Sequence, residues 1–260
     1  MYAYDLLAML VSLILLSYAS LEDIKKREIS DRVWLVLLLF GALVRAMDIM
    51  ANPTLDHAFD LFVSMAIPIG LFLLMYYLGL LFGGADAKAF ICLSLTVPKP
   101  PASLPIINGY LLPIYVLSIF NNAILLSLTT IPLNLAYNVS WLLKGHPLYD
   151  GLEAESAAKK AVAFFTCRKV KASIVRSSPN FTSAEELVKA SDGTERRRIK
   201  LMYRLAADDD GEDEVLPDAE YILAHYYVPL VVFITLGFLA SILVGDLVMS
   251  LVQTIMTPFM

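Results

Sequence analysis

The sequence predicts an α-helical polytopic membrane protein with six transmembrane helices and a small cytoplasmic α+β appendage between helices five and six. Hydrophobic residues make up 58% of the 260 positions, and the mean hydropathy is +0.67. Both values lie above those typical of soluble domains. The apolar residues also fall in blocks about as long as a bilayer is thick, which is the pattern of repeated membrane crossings.

The six candidate spans follow from a hydropathy window of about 19 residues. They lie near residues 4–22, 33–50, 60–82, 87–97, 108–140 and 227–258. The fourth is too short to cross alone and is expected to be thin, tilted or extended to about residue 107, since a proline-rich turn follows it. The fifth and sixth are longer than a bilayer requires and are expected to continue as helix beyond it. Prolines inside spans predict kinks at Pro68, Pro113 and Pro132.

The basic residues predict the orientation, because cytoplasmic loops are rich in Lys and Arg. Four of them follow the first span, Lys88 follows the third, and thirteen more lie between residues 144 and 204. The opposite side holds only Arg45 and Lys99. Both termini are therefore predicted to face outward, and the loops after spans one, three and five to face the cytoplasm.

The domain organisation has three parts. Residues 1–143 are predicted to form a membrane domain with spans one to five, 144–222 a cytoplasmic soluble segment, and 223–260 the last span. Within the soluble segment, 151–165 has the pattern of a short helix, whereas 169–177 and 196–205 alternate polar and apolar residues at the period of a strand. The acid-rich run 205–220 lacks the ligand spacing of a calcium loop and is interpreted as a solvated loop.

The two cysteines, Cys92 and Cys167, lie far apart in different kinds of segment. A disulfide framework and a CxxC metal site are therefore excluded, and both residues are predicted to be reduced thiols.

Two aspartates stand out because each lies where a span is predicted to reach the cytoplasmic face. Asp23 ends the first span and Asp86 follows the third, and the two spans run in the same direction. The carboxylates are therefore expected at similar depth on the same side, where ionisable residues often line a functional path. Gly83 and Gly84 precede Asp86 and allow close approach of the backbone.

A close carboxyl pair shares one proton and is able to hydrolyse an amide. The ionised member takes a proton from the attacking water, and the protonated member polarises the carbonyl. This chemistry requires no metal and no cofactor. Because the chain contains no HExxH or GxSxG motif, the aspartyl pair is the catalytic constellation that the sequence offers.

The residues "DIKKREI" (23–29) and "GGADAK" (83–88) resemble the archaeal preflagellin peptidases, relatives of the type IV prepilin peptidases and of the GxGD intramembrane aspartyl proteases. The resemblance implies an aspartic endopeptidase with catalytic residues Asp23 and Asp86. Ala85 stands where the family pattern has glycine, and a left-handed backbone there would cost about 1 kcal/mol. The cytoplasmic cysteine pairs and methylation activity of bacterial prepilin peptidases have no counterpart.

The resemblance also implies the substrate: the short basic leader of preflagellin or type IV pilin-like precursors, cut at the cytoplasmic membrane boundary. The expected partners are these precursors and membrane lipid, not nucleic acid. Lys25 and Lys88 are predicted either to orient the aspartates or to anchor the chain to headgroups. Two alternatives are a proton- or cation-coupled transporter that uses the same aspartates, and a noncatalytic membrane scaffold that binds partners through the cytoplasmic appendage.

Overall fold

The computed structural model describes residues 3–81, 83–100, 110–189, 195–200 and 217–257. In chain order its elements are α1 (Ala3–Lys26), α2 (Asp31–Ala51), α3 (Leu55–Tyr77), α4 (Gly84–Thr96), α5 (Tyr115–Ser127), α6 (Thr130–Leu143), α7 (Ala157–Thr166), β1 (Cys167–Lys171), α8 (Ala172–Ser177), β2 (Phe181–Ser183), β3 (Glu185–Lys189), β4 (Glu195–Ile199), β5 (Tyr221–Tyr226), α9 (Leu230–Leu243) and α10 (Leu247–Met256). The chain divides into two compact units, Met1–Ser127 with Pro229–Met260 (unit 1) and Leu128–Val228 (unit 2).

The structure is mostly helical and has four to five candidate membrane spans among its described residues. The four are Tyr4–Lys26, Asp31–Ala51, Leu55–Tyr77 and Tyr115–Leu143, and the bent pair α9 and α10 makes a fifth if it counts as one span. The expected fourth span corresponds to α4, which has only 13 residues. Its expected extension toward residue 107 lies outside the described residues.

The long span expected at 108–140 corresponds to the 29-residue candidate span Tyr115–Leu143, and the one expected at 227–258 corresponds to the bent pair α9 and α10. A two-residue turn at 128–129 separates α5 from α6, and a bend of 59° separates α9 from α10. At the second break Gly245 adopts φ +103°, a backbone conformation that residues with a side chain rarely adopt. Pro68 lies inside α3, whereas Pro113 precedes α5 and therefore kinks no helix.

A buried network of hydrogen bonds stabilises the break between α9 and α10. The side-chain amide of Asn122 donates to the carbonyl of Gly245 at 2.8 Å and to the Ser241 hydroxyl at 2.9 Å, while its oxygen accepts from the Leu247 N–H at 2.8 Å. Asp246 is fully buried and accepts from the Asn121 amide and from the Met249 N–H, each at 3.0 Å. The backbone groups freed by the break are thus satisfied inside the unit.

Close helix packing places α4 in the interior of unit 1. The rings of Phe72 on α3 and Phe90 on α4 stack with centroids 4.3 Å apart. On α2, a Cβ at Gly41 would lie 2.5 Å from the Thr96 hydroxyl oxygen, so α2 and α4 approach closely. A glycine also allows close contact between α5 and α9, where a Cβ at Gly237 would lie 2.6 Å from the Ala123 nitrogen. Small residues at helix contacts are typical of membrane bundles.

Unit 2 contains a three-stranded antiparallel sheet in the order β1-β5-β2 and a β3–β4 hairpin. The helix expected at 151–165 forms only from Ala157 to Thr166 (α7), because residues 151–156 form turns. The strand expected at 169–177 is correct only to Lys171, because the chain continues as helix α8. β4 confirms the start of the strand expected at 196–205, whose residues from 201 onward lie outside the described part, as does most of the acidic run. No strand was predicted at β5, which pairs with both β1 and β2.

Helix α6 contributes polar side chains to unit 2. The Asn138 amide donates to the carbonyls of Phe164 at 2.8 Å and Cys167 at 2.7 Å, and the Asn134 amide donates to that of Phe165 at 3.1 Å. Cys167 belongs to the apolar core of this unit. It and Cys92 are both free and buried.

Candidate active site

Asp23 lies near the carboxyl end of α1, one turn inside the helix. The helix continues past the expected span end at residue 22 and stops at Lys26, where the Arg27 N–H donates to the Asp23 carbonyl at 3.0 Å. Arg27 has φ +58°, the left-handed conformation that commonly ends a helix. The Asp23 residue is only 8% exposed, so its carboxyl group is withdrawn from solvent.

Asp86 lies in the first turn of α4, which begins directly after the helix cap at Gly83. Its N–H donates to the Gly83 carbonyl at 3.1 Å. The side chain folds back toward the cap. Its Oδ2 atom lies only 2.9 Å from the point where a Cβ at Gly83 would stand. Asp86 is 7% exposed. A larger residue at position 83 would therefore displace the Asp86 carboxylate, whereas the φ of −123° at Gly83 is open to any residue.

The two acids interact electrostatically although 63 positions separate them in the sequence. Asp86 lies outside the candidate membrane spans. Burial, followed by the neighbouring Asp23 carboxylate, raises the pKa of Asp86 to about 7, while a hydrogen bond from the Gly83 backbone and the charge of Arg27 oppose the rise. Burial and a neighbouring carboxylate both favour the protonated form of Asp86.

Ala85, the departure from the glycine pattern, causes no backbone strain. It is the second residue of α4, and within the described ranges Arg27 is the one non-glycine residue with positive φ. Alanine is a better helix former than glycine at such a position. Gly84 also has room, because its nearest neighbour, the Tyr76 hydroxyl, would lie 3.9 Å from an added Cβ.

Lys25 and Lys88, which the sequence predicts to support the site, are a solvent-exposed residue and a partner of Asp31, respectively. Lys25 is exposed, and the Lys88 ammonium lies 2.6 Å from Asp31 Oδ1. Their role beside the aspartates stays a prediction. Sequence reasoning missed Arg27, whose charge does act on Asp86. Its nearness to Asp23 in the sequence was the available signal, but helical spacing does not place it, because Arg27 follows the end of α1 with φ +58°.

Residues 10–138 match the model of the type IV leader peptidase family. This segment includes Asp23 and Asp86. The chain belongs to the type IV leader peptidase family. It is accordingly an aspartic endopeptidase, and the match favours this activity over a transporter or a scaffold.

Relatives with nearly full-length similarity agree with this family assignment. The chain is 25% identical over 247 residues to a preflagellin peptidase of Methanocaldococcus jannaschii, covering 93% of this chain and 95% of that protein. It is 24% identical over 238 residues to a preflagellin peptidase of Methanococcus maripaludis, and the match covers 89% of this chain and 92% of that protein. A third preflagellin peptidase, from Methanococcus voltae, is 22% identical over 258 residues, and the match covers 96% of this chain and 97% of that protein.

Proposed function

We propose that Asp23 and Asp86 are the catalytic pair of this family member and that it removes the leader peptide from preflagellin or type IV pilin-like precursors. One observation carries the assignment of the site. Two carboxyl groups from distant parts of the chain, each less than a tenth exposed, lie inside the family-matched segment, and the charge of Asp23 helps to raise the pKa of Asp86. Buried interacting carboxyls are costly to a fold and concentrate at functional sites.

The environments of the two acids divide their roles. Asp86, whose pKa is raised to about 7, holds the shared proton and donates a hydrogen bond to the scissile carbonyl. Asp23 is ionised and accepts a proton from water as the water oxygen attacks the carbonyl carbon. When the tetrahedral intermediate collapses, the C–N bond breaks and one proton passes to the departing nitrogen. Water supplies all atoms added to the products.

The proposed topology has six spans, with residues 87–97 forming the fourth, so that Asp86 directly precedes it, and with both termini outside. This arrangement places Asp23 and Asp86 at the cytoplasmic membrane boundary, in agreement with the abundance of basic residues in the same loops. A precursor whose leader precedes a hydrophobic segment presents its scissile bond at that depth. Local unwinding of the substrate exposes the amide to the pair.

Cleavage of a tagged precursor tests the proposal. The chain is co-expressed with an epitope-tagged preflagellin, and loss of the leader is followed as a shift on a gel. We expect Asp23→Asn and Asp86→Asn each to abolish the shift, because each keeps the side-chain shape and removes one half of the pair.

The matched control is Asp31→Asn, which changes a carboxylate that is 81% exposed. All variants are first quantified in the membrane fraction, so that loss of cleavage is separated from loss of protein. Substantial cleavage by either Asp23→Asn or Asp86→Asn would overturn the assignment of the pair.

A further inference from the structure

Unit 2 contains a cavity of about 320 Å³ whose walls include neither Asp23 nor Asp86. Its size is at the lower end of the range for small-molecule sites. The most buried of its lining side chains is that of Lys169, whose side chain is 3% exposed. Arg197 lines the cavity beside it. The cavity wall therefore contains two cationic side chains, one of them almost fully buried.

The carboxylate that faces these cations has its hydrogen-bonding capacity largely occupied. Glu185 Oε2 accepts from Arg197 Nε at 2.7 Å and lies 2.5 Å from Arg197 Nη2. Its Oε1 accepts from the Leu223 N–H at 2.6 Å. The Lys169 ammonium lies 3.7 Å from Oε1, beyond hydrogen-bonding distance, and within the described part of the chain it has no hydrogen-bond acceptor. Two cations thus share one carboxylate.

A buried ammonium without an acceptor is energetically costly, and the cost falls when an anionic group binds it. Burial lowers the pKa of Lys169, as expected for an incompletely compensated charge. The cavity contains room for such a group, and the planar Arg197 guanidinium next to it suits a carboxylate.

The cavity wall also includes aromatic and acidic side chains. The centre of the Trp141 ring lies 4.9 Å from that of His146 and 5.1 Å from that of Tyr221, and all three residues line the cavity. Asp150 and Glu220, both exposed, add carboxylates. Aromatic faces combined with carboxylates attract cations. Lys171 already stands 5.9 Å from the centre of the Tyr221 ring.

We propose that this cavity binds a small ligand with a carboxylate at one end and a cationic group at the other. The carboxylate contacts Lys169 and Arg197, and the cationic group lies among Trp141, Asp150 and Glu220. A basic amino acid and the carboxyl-terminal residue of a basic peptide share this chemistry. Polyanions are disfavoured because the carboxylates in the cavity wall repel them.

Isothermal titration of the full chain in detergent with L-arginine tests the site. We expect saturable binding, with agmatine, which lacks the carboxylate, and L-glutamate, which lacks the cationic side chain, at least about tenfold weaker. Lys169→Met is expected to weaken L-arginine binding about tenfold or more, since it removes a hydrogen bond between charged groups. Lys144→Met, the matched change of an exposed lysine outside the cavity wall, is expected to bind as the parent does.

A tripeptide ending in arginine distinguishes the two sources of the ligand. Tighter binding of the tripeptide assigns the site to a peptide terminus, and tighter binding of L-arginine assigns it to the free amino acid. If Lys169→Met fails to fold by circular dichroism, the exposed pair Asp150→Asn and Glu220→Gln replaces it, with weaker L-arginine binding expected. Absence of binding of both L-arginine and the tripeptide in the millimolar range, agmatine binding equal to that of L-arginine, or unchanged binding by the folded cavity variant overturns the proposal.

Discussion

The Lys88 ammonium lies 2.6 Å from Asp31 Oδ1 on the surface of unit 1, where the two side chains are 48% and 81% exposed. This ion pair gives Lys88 a partner other than the candidate catalytic acids. The cation whose charge acts on Asp86 is Arg27, which follows the last residue of α1. The two cations are therefore expected to affect catalysis differently.

The first prediction concerns the pH dependence of cleavage. If one acid is ionised and the other protonated, activity falls on both sides of an optimum, and the alkaline limb reports loss of the shared proton. Arg27 stabilises the ionised form of Asp86. Arg27→Gln removes that effect, raises the pKa of Asp86 and is expected to move the alkaline limb upward. Lys88→Met is expected to leave the limb in place.

The measurement is the initial rate of precursor-peptide cleavage across pH in liposomes, with enzyme and peptide shown to be intact throughout. A parent rate that is flat from acid to alkaline pH would contradict the shared proton. An upward shift with Lys88→Met, together with none for Arg27→Gln, would reverse the roles assigned to the two cations.

The second prediction compares neighbouring glycines at the site. An alanine Cβ at Gly83 would stand 2.9 Å from Asp86 Oδ2 and so displace the carboxylate, whereas one at Gly84 meets nothing closer than 3.9 Å. We expect Gly83→Ala to lower kcat roughly 10- to 100-fold, because small displacements of catalytic groups have effects of this size. Gly84→Ala is expected to keep most of the activity. Equal kcat values for the two variants would show that the carboxylate position tolerates the added methyl group.

The third prediction uses stability and requires no substrate. Burial and Asp23 raise the pKa of Asp86 from 3.8 to about 7, so the folded state holds this proton more tightly than the unfolded state. Ionisation therefore destabilises the fold increasingly as pH rises from about 4 to about 7, and fully above that. Asp86→Asn removes this cost, with a gain of up to about 4 kcal/mol.

Thermal unfolding in detergent at several pH values measures this gain. The difference in Tm between Asp86→Asn and the parent is expected to be small near pH 4, to grow toward pH 7 and then to level off. Asp31→Asn, at an exposed position, is expected to follow the parent. A pH-independent difference for Asp86→Asn would show that the Asp86 carboxyl is not strained by its surroundings.

The fourth prediction concerns the contact between α5 and α9. An alanine Cβ at Gly237 would lie 2.6 Å from the Ala123 nitrogen and 2.8 Å from the Ile119 carbonyl oxygen, both backbone atoms. We expect Gly237→Ala to reduce stability by about 1–3 kcal/mol, the usual effect of overpacking. Gly70→Ala on α3 has no neighbour within 4 Å and is expected to be neutral or slightly stabilising. Unfolding in detergent tests both, and equal stability would contradict the close packing.

Part of this protein was predictable from local sequence patterns. Hydropathy predicts the membrane class, and the amphipathic run at 151–165 predicts α7, because both depend on nearby residues. The positions of Asp23 and Asp86 at the ends of apolar runs made them candidates for a common site. The motif resemblance identified the family for the same reason, since short motifs are read locally.

The tertiary structure decided what depends on distant partners. The helix break before α10 is held by Asn122, which lies 125 positions before Leu247, its hydrogen-bond partner. The strand pattern after Lys171 becomes helix α8, while Tyr221–Tyr226, which was not predicted, forms the strand between β1 and β2. Arg27 acts on Asp86, whereas Lys88, two positions from Asp86, pairs with Asp31. Hydrogen bonds and charge pairs of this kind act through space, so their partners are specified by chain packing and not by local pattern.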